Sequence, residues 1–137
     1  MAKIETTPEL VESVYKKTRQ NLEIIRKRLG RPMTLAEKIV FGHLVDPENQ
    51  DLTRGKSFLN LAPDRVAMQD ATAQMALLQF MLAGKEESAV PATVHCDHLI
   101  RAHEGMTEDM KVAMEENNEV FDFLESVSSR YGIGFWK

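Results

Sequence analysis

The chain has 137 residues, of which 43% are hydrophobic and 28% charged, a balance typical of a globular domain rather than of a disordered or collagen-like chain. Its 17 lysines and arginines are outnumbered by 21 aspartates and glutamates, so bulk electrostatics disfavour nucleic acid as a partner. The single cysteine, Cys96, excludes an internal disulfide.

The first residues of the chain carry no recognisable targeting signal. Residues 1–8 contain neither the apolar core of a signal peptide nor an Arg-rich transit pattern. The longest mostly apolar stretch, residues 71–83, is too short and too polar to span a bilayer. We therefore predict a cytoplasmic protein without a membrane partner.

Two amphipathic helices are predicted in the first third of the chain. Thr6 or Thr7, followed by Pro8, is an N-cap signature, and apolar residues then recur at helical spacing until Gly30 ends the pattern. A capping box over residues 34–37 begins a second, shorter helix. These helices precede the remaining elements.

A strand, a helix and a second strand follow one another and give the clearest topological signal. Residues 65–68 are strand-like and lead into a nearly all-apolar helix over 70–83, after which residues 92–96 form the next strand. Such a run within about 30 residues is typical of a parallel crossover. A further short strand is predicted over 58–61, and the helix over 70–83 is expected to be buried on most sides.

A last helix and a strand-like run complete the pattern. Thr107 is the predicted N-cap of a single helix whose apolar face extends to Val127. Residues 131–137 resemble a strand, which either pairs within the sheet or leaves an exposed apolar edge. The predicted fold class is α/β, with helices packed on a small, mostly parallel sheet and N-terminal helices before it.

Polar residues concentrate just after the second strand of the crossover, the edge where open parallel sheets place their sites. Three interpretations are open. The first is a zinc site, whose ligands would be His95, Cys96, His98 and His103. In the second, Asp97 and His98 form a proton-transfer pair in which the imidazole meets a substrate hydroxyl. In the third, these are ordinary strand and turn residues.

The other strand-to-helix junction brings a second set of polar residues to the same edge. Gln69 and Asp70 lie there, and the Gln69 amide offers both a donor and an acceptor to a hydroxylated carboxylate ligand. Alternatively, either side chain caps the following helix. The remaining histidine, His43, is interpreted as a surface or packed residue of the second helix.

Three segments of the sequence resemble the aconitase family, in particular its mitochondrial-type members and their bacterial relatives. The segments are RVAMQDATAQ (residues 65–74), VHCDHLI (94–100) and YGIGFWK (131–137). The resemblance extends from about residue 38 to the end of the sequence. It identifies the chain as similar to the N-terminal portion of much longer, four-domain enzymes. It implies a helical segment over residues 1–45 and an incomplete first α/β domain over 46–137.

This resemblance implies an activity and a role for three residues. Aconitases are hydro-lyases of the tricarboxylic acid cycle that interconvert citrate and isocitrate through cis-aconitate. Gln69 matches their substrate-binding glutamine, and Asp97 and His98 match the pair that assists protonation of the departing hydroxyl. The chain alone is expected to need the remaining aconitase domains and to be inactive by itself.

The resemblance also implies a cofactor that this chain does not hold. Aconitases carry a 4Fe-4S cluster bound by three cysteines, and in the family these cysteines lie beyond the position that corresponds to Lys137. Cys96 matches none of them. We therefore expect no cluster and no other metal to be held by the chain alone.

Two alternatives to an aconitase remain open. One is a non-catalytic, stand-alone binding module on the same scaffold, which would pair a partner strand with the edge at Phe135 and Trp136. The other is a hydro-lyase of the isopropylmalate-isomerase type. Those enzymes share an Asp–His pair but lack the sequence context found here around Gln69 and His98.

Overall fold

The computed structural model of the protein describes residues 7–137, which form five helices and three strands. The elements are α1 (Pro8–Leu29), α2 (Leu35–Gly42), β1 (Val66–Gln69), α3 (Asp70–Leu82), β2 (Ala92–His95), α4 (Met106–Glu116), α5 (Asn118–Tyr131) and β3 (Gly134–Trp136). No helix within this part of the chain has the length and apolar character needed to cross a membrane.

The described residues fall into two compact units, 7–64 and 65–137. The first contains α1 and α2, and the second contains the three strands and the other helices. A division of this kind follows the density of internal contacts and does not define folding domains. The predicted boundary between residues 45 and 46 therefore stays a prediction.

Local capping explains where α1 and α2 begin. The Thr7 hydroxyl oxygen accepts the backbone N–H of Leu10 at 3.2 Å, which confirms Thr7 as N-cap, whereas the alternative, Thr6, lies outside the described residues. The predicted capping box of Thr34 and Glu37 is also present. Both helices thus begin where a side chain satisfies an otherwise unpaired backbone group.

A small core joins α1 to α2 within the first unit. Its buried apolar side chains are Ile25, Phe41 and Leu44. Buried Asn21 donates from Nδ2 to the backbone carbonyls of Gly42 and Leu44, both at 3.0 Å. These bonds fix the helix pair, because withdrawing the amide would leave two carbonyls unpaired.

The strand predicted over residues 58–61 does not form. Leu61 makes one isolated antiparallel bridge to Leu44, and the rest of the segment is loop. Phe58 is 99% exposed and Leu61 is 45% exposed, and Leu59 is only partly buried against the core of the first unit, so the segment has no continuous buried face that would hold a strand in register. The prediction was wrong because strand-like residue types do not form a strand without a partner to pair with.

The second unit is built on a three-stranded parallel sheet in the order β1-β2-β3. The pairing of β1 with β2 ends with Gln69 opposite His95, and the pairing of β2 with β3 ends with His95 opposite Trp136. The crossover from β1 through α3 to β2 confirms the predicted α/β class. The strand-like run near the end of the sequence pairs within this sheet as β3.

The sheet and its helices enclose the main core. Its fully buried members include Leu77 of α3, Val94 of β2 and both Phe121 and Leu124 of α5. These side chains come from elements far apart in sequence, so the core fixes the start of α3 relative to the end of β2. That relation sets the geometry of the edge where the polar residues lie.

Helix α3 is less buried than its composition predicts. Ala73 and Leu77 are buried against the core, but Met75 is 63% exposed and Leu82 is 87% exposed. An apolar helix is buried on every side only when other elements cover every side. Within the described residues, α3 packs against the main core through the side that carries Ala73 and Leu77. The prediction that most sides are buried was wrong.

The single helix predicted after Thr107 is two helices. The backbone breaks at Asn117 (φ −122°, ψ 28°), which separates α4 from α5. The N-cap of α4 is Gly105 rather than Thr107. The carboxylate of Asp109 replaces a threonine cap, because it accepts the backbone N–H groups of residues 103, 104 and 105 at 2.9 to 3.2 Å. These hydrogen bonds, led by that of Gly105, hold the pKa of Asp109 below its usual value.

Candidate functional site

The polar residues singled out in the sequence meet at the carboxyl edge of β1 and β2. Gln69 is the last residue of β1, and its register partner His95 is the last residue of β2. A shallow hollow of about 410 Å³ opens at this edge. It is lined by Ala67, Met68, Gln69, Thr72, His95 and Asp97. The topology thus brings Gln69 and Asp97 to one surface, as expected for the carboxyl ends of parallel strands.

The Gln69 side chain is exposed and is not used in capping. It makes no capping hydrogen bond at the start of α3, so the alternative role as a helix cap is wrong for this residue. Its backbone carbonyl accepts the Thr72 hydroxyl at 3.2 Å. The amide of Gln69 is consequently able to offer a donor and an acceptor at the hollow.

Asp97 and His98 form a close pair beside the hollow. Asp97 Oδ1 lies 3.0 Å from Nδ1 of His98, and the side chains are 65% and 54% exposed respectively. A carboxylate at Nδ1 sets the orientation of the ring and leaves Nε2 for another partner. The pair therefore has the geometry and the access that proton exchange with a ligand requires.

A third carboxylate, which sequence reasoning treated only as a possible helix cap, completes this cluster. Asp70 is 1% exposed, and its Oδ2 accepts the backbone N–H of His98 at 3.0 Å. Its Oδ1 accepts the N–H of Ala71 at 2.6 Å and lies 3.4 Å from His98 Nδ1. The only sequence signal for this role was an acid directly after Gln69 at the junction of strand and helix. The contact with His98 spans 28 positions and cannot be read from local pattern.

The residues of the zinc interpretation do not come together as one group of ligands. Among the described residues, the group of potential ligand atoms that lie within 4.8 Å of one another near this edge comprises Asp70, Asp97 and His98. Cys96 is buried, and burial, reinforced by the nearby negative charges of Asp70 and Asp97, raises its pKa to about 11. A protonated thiol is a poor zinc ligand.

The other histidines have separate partners. His95 stacks on Trp136 with ring centroids 5.1 Å apart, and its Nε2 lies 3.0 Å from the Thr93 hydroxyl. His103 contacts the neighbouring Glu104 and is 77% exposed. His43 lies 2.8 Å from an oxygen of Asp64 through Nε2, and its Nδ1 lies 2.6 Å from a backbone carbonyl oxygen, as expected of a packed residue. None of these three joins the Asp70, Asp97 and His98 cluster.

Lys137 forms an ion pair with Glu125 of α5. The resemblance puts the cluster cysteines beyond this position. The Nζ of Lys137 lies 2.8 Å from Oε2 of Glu125. Its positive charge also lowers the pKa of Cys96, but burial and the two nearby aspartates outweigh that effect. Lys137 is therefore neither a ligand nor a member of the candidate site, and the location of the cluster cysteines beyond it stays a prediction.

Comparison with known proteins gives consistent results. The model of the aconitase family (aconitate hydratase) matches residues 37–137. The mitochondrial aconitate hydratases of Schizosaccharomyces pombe and Saccharomyces cerevisiae are 60% and 59% identical over 123 residues, which is 90% of this chain and 16% of each relative. That of Gracilaria gracilis is 53% identical over all 137 residues, or 17% of its own length.

The chain thus spans about a sixth of the length of the curated relatives it matches, which fits the expected correspondence to the N-terminal portion. The names of these relatives contradict the predicted cytoplasmic setting, because each is called mitochondrial. That prediction relied on the absence of a targeting signal in residues 1–8. Because the chain covers only about a sixth of its relatives, its first residues give no evidence about the compartment of the protein. The family match over most of the chain and the high identity confirm the resemblance found in the sequence: the chain belongs to the aconitase family.

Proposed function

We propose that this chain supplies one wall of the active site of an aconitate hydratase. The reaction is the interconversion of citrate and isocitrate through cis-aconitate, a step of the tricarboxylic acid cycle, and the remaining domains of the enzyme supply the rest of the site. The observation that carries the proposal is the placement of Gln69, Asp97 and His98 at one carboxyl edge of the parallel sheet. Membership of the aconitase family supports it.

Each of the three residues has a chemical role in this proposal. The Gln69 amide hydrogen-bonds the substrate, whose carboxylate and hydroxyl groups match a side chain that both donates and accepts. In dehydration, His98 gives the proton on Nε2 to the departing hydroxyl, so that the carbon–oxygen bond breaks and the hydroxyl leaves as water. Asp97, 3.0 Å from Nδ1, stabilises the charged imidazole before the transfer. The adjacent carbon loses its proton to a base from another part of the enzyme.

The 4Fe-4S cluster that the family implies does not fit the residues of this chain. Such clusters are held by several cysteine thiolates, whereas the sequence has one cysteine. Cys96 is buried, and its raised pKa of about 11 keeps it protonated. In this proposal the ligands of the cluster come from other parts of the enzyme, which the resemblance puts beyond the position of Lys137, and the tasks of this chain are substrate binding and proton transfer.

Two matched histidine substitutions test the role of His98 in the complete enzyme that contains this chain. We expect His98→Gln to lower kcat for citrate dehydration by about 10²- to 10⁴-fold, the usual contribution of a general acid or base. His103→Gln is the control. His103 lies in the same unit, its side chain is 77% exposed, and its ring contacts the neighbouring Glu104 and not the candidate site. Its kcat should stay within about twofold of the unmodified enzyme.

Two further measurements separate binding from chemistry. Gln69→Ala should raise the KM for citrate more than it lowers kcat, because the amide acts in binding. The 137-residue chain alone should show no conversion of citrate to isocitrate. Turnover by the isolated chain, or an unchanged kcat in His98→Gln, would contradict the proposal.

A further inference from the structure

We propose that Asp70 is the positioning residue of His98: it fixes both the backbone and the ring of the histidine, so that Nε2 is the nitrogen presented to the ligand. The inference rests on the proposed function for its catalytic consequence. It concerns a residue to which the resemblance assigned no role. Its physical basis is the set of contacts made by one buried carboxylate.

Asp70 holds His98 at two points. Its Oδ2 accepts the backbone N–H of His98 at 3.0 Å, and its Oδ1 lies 3.4 Å from Nδ1 of the same residue. The carboxylate is itself held, because Oδ1 also accepts the N–H of Ala71 at 2.6 Å. One side chain at the start of α3 therefore determines the position of a residue that follows β2.

Burial distinguishes Asp70 from the other carboxylate near the ring. Asp97 makes the shorter contact with Nδ1, at 3.0 Å, but its side chain is 65% exposed. The Asp70 side chain is 1% exposed and cannot reorient without breaking hydrogen bonds to two backbone N–H groups. Asp70 is thus the rigid contact of His98, and Asp97 is the solvent-accessible one.

The position of the two carboxylates determines which nitrogen of His98 carries the proton in the neutral ring. Both Asp70 and Asp97 are near Nδ1 and accept only, so Nδ1 is the donor. Nε2 is left as the acceptor in the neutral ring and as the second donor once the ring is charged. This is the arrangement that proton exchange with a substrate hydroxyl needs.

The same three residues have potential ligand atoms within 4.8 Å of one another, so a divalent cation is the competing explanation. The hydrogen bonds favour positioning. Each Asp70 oxygen already accepts a backbone N–H, so a cation would share each oxygen with a fixed donor and would have only the remaining lone pairs. Addition of Mg²⁺ or Zn²⁺ to the chain therefore distinguishes the two explanations.

Asp109 provides a matched control for Asp70. It is 4% exposed in the same unit, and its carboxylate also accepts backbone N–H groups, those of residues 103–105. Asp70→Asn and Asp109→Asn therefore each replace a buried, N–H-bonded carboxylate by an amide of the same shape. Only the first removes a carboxylate oxygen from the neighbourhood of the His98 ring.

In the complete enzyme, Asp70→Asn should lower kcat by about 10- to 100-fold, the range known for residues that orient metal-binding histidines, with the KM for citrate changed by less than about threefold. Asp109→Asn should leave kcat within about twofold. Equal kcat values for Asp70→Asn and the unmodified enzyme would overturn the inference. If the unmodified enzyme itself fails to convert citrate, the proposed function fails, and the inference is then decided by the spectroscopic measurement.

That measurement uses nitrogen-15 NMR of the histidine rings in the 137-residue chain and needs no catalysis. In the unmodified chain the neutral His98 ring should be the Nδ1–H tautomer, in Asp70→Asn this tautomer should lose population, and in Asp109→Asn it should not. If Asp70→Asn fails to fold, Asp97→Asn decides the inference: it removes the closer but exposed carboxylate, and the Nδ1–H tautomer should persist while Asp70 is in place, whereas its loss would overturn the inference. An Nε2–H tautomer in the unmodified chain would overturn the inference, as would stoichiometric binding of Mg²⁺ or Zn²⁺ that shifts the His98 signals.

Discussion

Leu77→Ala should destabilise the second unit by about 3 kcal/mol, because Leu77 is the buried leucine that anchors α3 to the core. Its side chain is 2% exposed and belongs to the cluster that contains Val94 and Phe121. Removing its outer carbons costs about 2 kcal/mol in lost burial, and a residual cavity on the order of 50 Å³ adds about 1 kcal/mol. The expected loss is a large share of the roughly 5 to 15 kcal/mol that stabilises a typical domain.

Urea unfolding followed by tryptophan fluorescence measures this loss. Trp136 is the only tryptophan of the sequence and lies in β3, so its signal reports on the unit of residues 65–137. With a urea dependence of about 1.5 kcal/mol per M, the midpoint should fall by about 2 M. Leu82→Ala on the same helix is the matched control, because Leu82 is 87% exposed and should shift the midpoint by less than about 0.3 M. Equal shifts for the two variants would refute the packing of α3 described here.

Two predictions concern ionisation. Cys96 should react with thiol reagents at pH 8 far more slowly than a free thiol, because burial raises its pKa to about 11. Since the unfolded thiol ionises near its usual value of 9.0, unfolding releases a proton above that pH. Stability measured by urea unfolding should then decline from about pH 9 to pH 11, and Cys96→Ala should lack this decline. The hydrogen bond from Arg31, helped by the N–H of Thr34, lowers the pKa of Glu37 from 4.5 to about 2, so its contribution to stability is complete above pH 4.5 and is lost as the pH falls towards 2. A carbon-13 NMR titration of the Glu37 carboxyl group that gave a midpoint near 4.5 would contradict this pairing.

Much of the fold was predictable because its signals are local. A capping side chain with the backbone group it satisfies, as at Thr7 and at residues 34–37, lies within one helical turn of sequence. The crossover from β1 to β2 was predictable because two short strand-like runs flank a longer apolar run of helical length. Its register, with Gln69 opposite His95, then follows from the sheet and not from either strand alone.

The errors arose where the outcome depends on a distant surface. Residues 58–61 have the composition of a strand but make only one isolated bridge, and α3 has the composition of a buried helix but leaves Leu82 in solvent. The helix after Gly105 is interrupted at Asn117, which the continuous apolar face did not reveal. In each case the residue types favour one structure, but the tertiary contacts that are available determine which structure forms.

The candidate site shows the same division between local and distant information. Asp97 and His98 are neighbours in sequence, so a carboxylate beside an imidazole could be proposed from the residues alone. Asp70 reaches His98 across 28 positions, and it does so because the crossover places the first residue of α3 beside the segment after β2. The sequence therefore predicts the Asp97–His98 pair, whereas the sheet determines how His98 is held. On the proposed function, a substitution that leaves Asp97 and His98 intact but moves the start of α3 should therefore lower kcat for citrate dehydration when it is measured in the complete enzyme.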